Sequence, residues 1–203
     1  MKLLFIGPQG SGKGTQASTI SKKLNLIHIS TGDLFRNAQG ELKKELDSYM
    51  SQGKLVPDKL VLEILNARLN EEDCENGFIL DGFPRNLEQA KELDKIIEID
   101  KIIEISIPDN ESIKRLSSRL TCEKCKTIYN LITAKPKNPE LCDICQGKLI
   151  QRQDDRPETI KKRLEIYHNE TEPILNHYKN NSIKINGNQE ISKVTQDILE
   201  VLR

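Results

Sequence analysis

A chain of 203 residues with 31 acidic side chains, 31 basic ones and zero net charge is one domain, or one domain carrying inserts. That balance argues against a dedicated nucleic-acid or membrane-surface binder. Aromatic residues are few (Phe 4, Tyr 4, Trp 0), so Leu, Ile and Val must fill the core. No stretch approaches transmembrane length, and the N-terminal apolar run is too short for a signal peptide, so a cytoplasmic location is expected.

Lys2-Leu3-Leu4-Phe5-Ile6 reads as a short apolar strand. Gly7-Pro8-Gln9-Gly10-Ser11-Gly12-Lys13-Gly14-Thr15 follows and fits the phosphate-loop pattern G-x-x-x-x-G-K, with one departure. Gly14 stands where Ser or Thr is usual, and the hydroxyl comes one place later at Thr15. The spacing of Ile20 and Leu24 predicts a helix immediately after. Strand, glycine loop and helix together let backbone N–H groups and a helix N-terminus wrap an anion, with Lys13 as a mobile point charge. A glycine-rich turn without function is the bland alternative, and the flanking elements disfavour it.

Residues 26–29 predict a second strand, with His28 as a packed core imidazole, and capping residues at 30–33 precede a helix that carries Arg36. Residues 37–70 read as helical and charged, broken near Gly53 and Pro57, which suggests a small helical insert. Phe78-Ile79-Leu80 is a buried-type strand with Asp81 at its C-terminal end, where ligands gather in open parallel sheets. A carboxylate there can hold Mg²⁺ through water; a turn or cap residue is the plainer reading. Cys74 reads as a small buried hydrophobe. Residues 101–108 predict a fourth strand, and 112–120 a helix with Arg115 and Arg119 on one face, either solvated or clamping a polyphosphate.

Cys122-x-x-Cys125 and Cys142-x-x-Cys145 are separated by sixteen residues, a strong tetrathiolate zinc signal of the structural kind. Disulfides are the competing reading, which a cytoplasmic setting disfavours. Arg152 and Arg163 flank the exit of this segment as Arg115 and Arg119 flank its entry. Pro157 opens a helix, Pro173 starts or bends another, His168 and His177 read as surface residues, residues 182–186 as a fifth strand and 191–202 as a closing helix. Five strands alternating with helices predict a parallel α/β sheet with right-handed crossovers.

The motifs at 7–16, 30–36 and 81–85 with Gln89, the four cysteines, and Arg152-x-Asp154-Asp155 with Arg163 resemble the adenylate kinases of the long-lid, zinc-bearing type. The resemblance implies a P-loop NTPase-type three-layer fold with a five-stranded parallel sheet, a helical NMP-binding insert and a small zinc-bearing lid. It divides the chain into a core (1–29, 60–119 and 157–203), an NMP-binding part (30–59) and a lid (120–156). It implies reversible phosphoryl transfer from ATP to AMP, giving two ADP, with Mg²⁺ and with structural Zn²⁺ on Cys122, Cys125, Cys142 and Cys145.

By the same resemblance ATP lies along Gly10, Ser11, Gly12, Lys13, Gly14 and Thr15, touched by Arg115, Arg119, Ile128, Tyr129 and Gln189. AMP meets Thr31, Arg36, Lys54, Leu55, Val56, Gly82, Phe83, Pro84, Arg85 and Gln89. Arg152 and Arg163 brace the phosphates, and Lys13, Asp81, Arg85, Arg119, Arg152 and Arg163 form the catalytic set. A monomer is implied, with small-molecule substrates and neither nucleic acid nor membrane as partner. The chain departs from the family pattern at Leu120, where a second arginine is common, and at Asn130, where a histidine is common. A UMP or CMP kinase is the near alternative; such relatives usually have a short lid, Ala at the Thr31 position and Asn at the Gln89 position.

Overall fold

A computed structural model describes the whole chain, Met1–Arg203. The elements in order are β1 (Lys2–Ile6), α1 (Lys13–Leu24), β2 (Ile27–Ser30), α2 (Thr31–Asn37), α3 (Gly40–Met50), α4 (Asp58–Leu69), β3 (Phe78–Asp81), α5 (Leu87–Ile96), β4 (Lys101–Ser106) and α6 (Asp109–Ser117). Then come β5 (Arg119–Cys122), β6 (Ile128–Asn130), β7 (Leu149–Ile150), α7 (Pro157–Ile166), α8 (Ile174–His177), β8 (Ser182–Asn186) and α9 (Ile191–Val201).

The five strands expected from sequence form one parallel sheet in the order β2-β3-β1-β4-β8. Successive side chains of a strand point to opposite faces. In β1, Leu4 and Ile6 therefore join one core with Phe35, Leu65, Phe83 and Leu93, while Leu3 and Phe5 join the other with Ala17, Ile20, Val194 and Ile198. Helices cover both faces, which is why the central strands read as unbroken apolar runs rather than alternating ones. The order turns at β1, which pairs with β3 on one side and β4 on the other, and so sets a crevice beyond the strands' C-terminal ends. The chain's loops after β1 and β3 both open there.

Residues 119–150 make a second, antiparallel sheet of order β6-β5-β7. Its small core is Cys122, Tyr129, Cys142 and Leu149, so two of its four buried members are cysteines. Three expectations need correction. The helix predicted over 112–120 ends at Ser117, and Arg119 opens β5, so Arg115 and Arg119 do not share a helix face. Strand pairing wins locally: Leu120 sits opposite Tyr129, Leu131 N–H donates to Ser118 O (2.9 Å), and Asn130 Nδ2 takes the end-of-helix carbonyl of Arg115 at 2.8 Å. His28 is not a core imidazole; it is half-buried at the sheet edge with Nε2 3.6 Å from Asp81 Oδ2. Phe83 turns into the core, 1 % exposed, because its neighbours Leu80 and Leu93 form an apolar bed there.

Candidate active site

The N-terminus of α1 carries no side-chain cap; Gly12 precedes it in the left-handed region at φ 94°. Its leading N–H groups are therefore free for an anion. Gly14 answers the departure noted in the loop. A Cβ there would lie 3.2 Å from Asp81 Oδ2, so the small residue lets β3's carboxylate come up against the helix start. Lys13 Nζ donates to Pro8 O at 3.0 Å, which folds the ammonium over the loop. Burial pushes its pKa down to about 8; Asp81 opposes that, and Arg85, Arg163 and Arg119 add to it. Ser11 Oγ is buried without a hydrogen-bond partner, an orphaned group inside the loop that fits a missing acceptor or donor from a ligand.

Across the crevice stand the arginines. Arg119 forks onto Asp155, Nε to Oδ2 at 2.7 Å and Nη2 to Oδ1 at 2.5 Å. Arg163 Nη1 reaches the same Asp155 at 3.2 Å, the Asp154 carbonyl at 2.7 Å and the Asp154 carboxylate at 3.1 Å. Asp155 is fully buried, so one carboxylate holds one arginine from β5 and one from α7. Arg152 Nε donates to Thr121 Oγ1 (2.9 Å), and Arg85 Nε to Gly82 O (2.7 Å). Burial pushes Arg152 down to about 9 and Arg85 to about 10, with neighbouring arginines adding to the effect. These guanidiniums are charged at neutral pH and short of counter-charge, the condition in which an incoming polyanion gains most.

The crevice is a cavity of about 940 Å³. It is lined by Gly10, Ser11, Gly12, Lys13, Gly14, Thr15, Thr31, Arg36, Lys54, Leu55, Val56, Asp81, Gly82, Pro84, Arg85, Gln89, Arg115, Arg119, Ile128, Tyr129, Arg152, Arg163 and Gln189. The lining of this cavity thus gathers the sequence-selected residues except Phe83 and three of the cysteines. Arg115 stands apart from the other arginines, held by Glu111 (2.8 Å) and by Gly187 O (3.1 Å). Tyr129 lines the cavity, but its hydroxyl is spent on the cysteine cluster, accepting from Asp143 N (2.9 Å) and lying 3.4 Å from Cys142 Sγ. Sequence reasoning missed the anchoring role of Asp155 and Asp33, although the Asp154-Asp155 pair beside Arg152 was a visible signal. Asp33 holds Arg36 Nη2 at 2.7 Å.

All five cysteines are free. The Sγ atoms of Cys122, Cys125, Cys142 and Cys145 lie within 4.8 Å of one another. Zinc bound at ~2.3 Å by four tetrahedral thiolates needs sulfurs ~3.8 Å apart, so the donor set and its spacing fit. Asp81 offers hard oxygens, and the basic side chain within 4 Å of them is His28 rather than a lysine or arginine, which fits a carboxylate left free for a magnesium hydration shell. No helix is long and apolar enough to cross a membrane.

Residues 5–183 match the family model described as adenylate kinase. The chain is 43% identical to an adenylate kinase of Caldicellulosiruptor saccharolyticus, covering 100% of this chain and 99% of that protein. It is 45% identical to one of Staphylococcus epidermidis, with 100% and 99% covered. It is 43% identical to one of Archaeoglobus fulgidus, with 100% and 98% covered. A free helix N-terminus in one cavity with a cluster of half-buried arginines, and a match across the whole length, make one conclusion: this chain belongs to the adenylate kinase family.

Proposed function

We propose that this protein transfers the terminal phosphoryl group of ATP reversibly to AMP, giving two ADP and so balancing the adenine nucleotides. The observation that carries the reading is one cavity lined by Lys13, the open N-terminus of α1, Arg36, Arg85, Arg119, Arg152 and Arg163; we read it as having two cationic ends, Lys13 and α1 serving one nucleotide and Arg36 and Arg85 the other, with the remaining arginines between. Two nucleotides entering from opposite ends meet phosphate to phosphate there. The chemistry asks the protein for alignment and charge, not for a nucleophile.

In this reading the loop from Gly10 to Thr15 holds the ATP phosphates, Lys13 reaches the β- and γ-oxygens, and Arg119, Arg152, Arg163 and Arg85 steady the charge on the group in flight. Arg115, Ile128, Tyr129 and the backbone at Gln189 receive the ATP adenosine. Thr31, Arg36, Lys54 to Val56, Gly82, Pro84, Arg85 and Gln89 receive AMP. Magnesium, when bound with ATP, neutralises phosphate oxygens, and Asp81 would hold its water shell. Residues 30–59 act as the AMP-side cover and 120–156 as a lid over ATP, the rest being core. Closure of the lid excludes water, which would otherwise take the phosphoryl group. Zinc on the four cysteines would staple the lid. We place the enzyme in the cytoplasm as a monomer without nucleic-acid partners, supported by free paired thiols and balanced charge.

ADP formation from ATP with AMP, CMP or UMP tests the reading. Turnover with AMP is expected to dominate, and Lys13→Met is expected to lower it by well over about a hundredfold. Preference for CMP, or near-normal turnover of Lys13→Met, would overturn it.

A further inference from the structure

Gln89 is 2 % exposed, yet it lines the cavity. A buried amide can stand in two orientations that differ only by exchange of Oε1 and Nε2, and base reading depends on which one is present. Here two neighbours choose. Gln89 Nε2 donates to Asp58 Oδ1 at 2.6 Å, and Gln89 Oε1 accepts the backbone N–H of Arg85 at 2.7 Å. The flipped amide would set an oxygen against a carboxylate and an N–H against an N–H. Asp58 is fixed in turn: Asn86 Nδ2 donates to both its oxygens, at 3.1 Å each, and Asn86 Oδ1 accepts Gln89 N–H at 2.8 Å as the cap of α5. Asp58 itself is off the cavity wall, at the first position of α4.

An amide has two N–H donors and two lone pairs on its oxygen. With one of each committed to Asp58 and Arg85, Gln89 presents one N–H and one lone pair to the cavity. That pair is the complement of adenine's edge, where N1 accepts and the 6-amino group donates. Hypoxanthine and guanine present the reverse, an N1–H donor and a 6-oxo acceptor. We infer that Asp58 is a specificity-positioning residue: it locks the Gln89 amide in the orientation that admits 6-amino purines and rejects 6-oxo purines at the monophosphate site. The inference rests on the reading of Gln89 as the residue that meets the AMP base.

The test compares kcat/KM for AMP with kcat/KM for IMP, ATP being the donor, on the same preparation of each variant, so that any loss of folded protein cancels in the ratio. Asp58→Asn is nearly isosteric, but it can donate to Oε1 as well as accept from Nε2, and so removes Asp58's share of the preference and leaves only the Arg85 N–H to hold the amide. The AMP-to-IMP ratio is expected to fall by roughly tenfold or more, mostly through KM, with kcat for AMP little changed. Asp58→Ser, a second variant should the first not accumulate, is expected to do the same, and Asp58→Glu to restore part of the ratio. Gln89→Ala separates the two layers. If it collapses the ratio while Asp58→Asn leaves it at the parent value, the positioning role is wrong and the base site stands. If Gln89→Ala itself leaves the ratio unchanged, the assignment of Gln89 to the base falls, and the inference with it.

Discussion

Lys13 sits in a field of its own sign. Burial and three arginines lower its pKa to about 8, and Asp81 only partly offsets them. Below about pH 8 the free protein holds the ammonium charged, and above it the charge is lost. A bound triphosphate supplies opposite charge and restores the proton. The kcat/KM for ATP, which reports the free enzyme, is expected to decline as pH rises through about 8, while kcat stays level to higher pH. A kcat/KM level to about pH 10, the ordinary lysine range, would contradict it. The same shift bears on stability. The folded pKa lies below the ordinary lysine value of 10.5, so charged Lys13 costs stability below about pH 8, and that cost fades between about 8 and 10.5. Lys13→Met should therefore leave the unliganded protein at least as stable as the parent at neutral pH, read by thermal unfolding, even as turnover collapses.

At the scale of elements, the five parallel strands were legible because the central ones are short apolar runs between turn signals, covered on both faces, while the edge strand β8 alternates Ile183 and Ile185 with polar residues. The sheet of residues 119–150 was not legible. Its strands are two to four residues long, and the partner that ends α6 early lies some distance along the chain: Arg119 answers to Asp155, and Leu120 to Tyr129. Local helical spacing of Arg115 with Arg119 could not see that. The four cysteines were legible from spacing alone, as was the phosphate loop. The anchoring role of Asp155 was not, because that carboxylate gains it only once the fold brings Arg119 and Arg163 to it. The energetics of this small sheet rest on the thiols, since half of its buried members are cysteines. Stripping metal with a chelator at neutral pH is expected to make residues 123–148 the first site of proteolysis while far-UV circular dichroism from the core barely changes. Equal cleavage with and without chelator would show that the sheet stands on its packing and not on a metal.

For the whole molecule, zero net charge conceals an uneven distribution. Lys13, Arg36, Arg85, Arg119, Arg152 and Arg163 line one cavity, against Asp33, Asp81 and Asp154 in the same lining and Asp155 behind it. Burial depresses Lys13, Arg85, Arg152 and Arg163 together, so the cavity lining holds charges that the fold must tolerate. A polyanion relieves this, and one that spans both ends relieves it at both. A dinucleotide with two adenosines joined through a polyphosphate bridge is therefore expected to raise the unfolding temperature more than ATP or AMP alone. At about a hundredfold over its Kd such a ligand adds about 2.7 kcal/mol, which for a chain of this size is a rise of roughly 5–10 °C. The increment should shrink as salt is added, but less steeply than for surface charges, because the arginines are screened by protein rather than by water. A bridged dinucleotide that stabilises no more than ATP would mean that the two cationic ends do not act on one ligand, and the head-to-head arrangement would have to be abandoned.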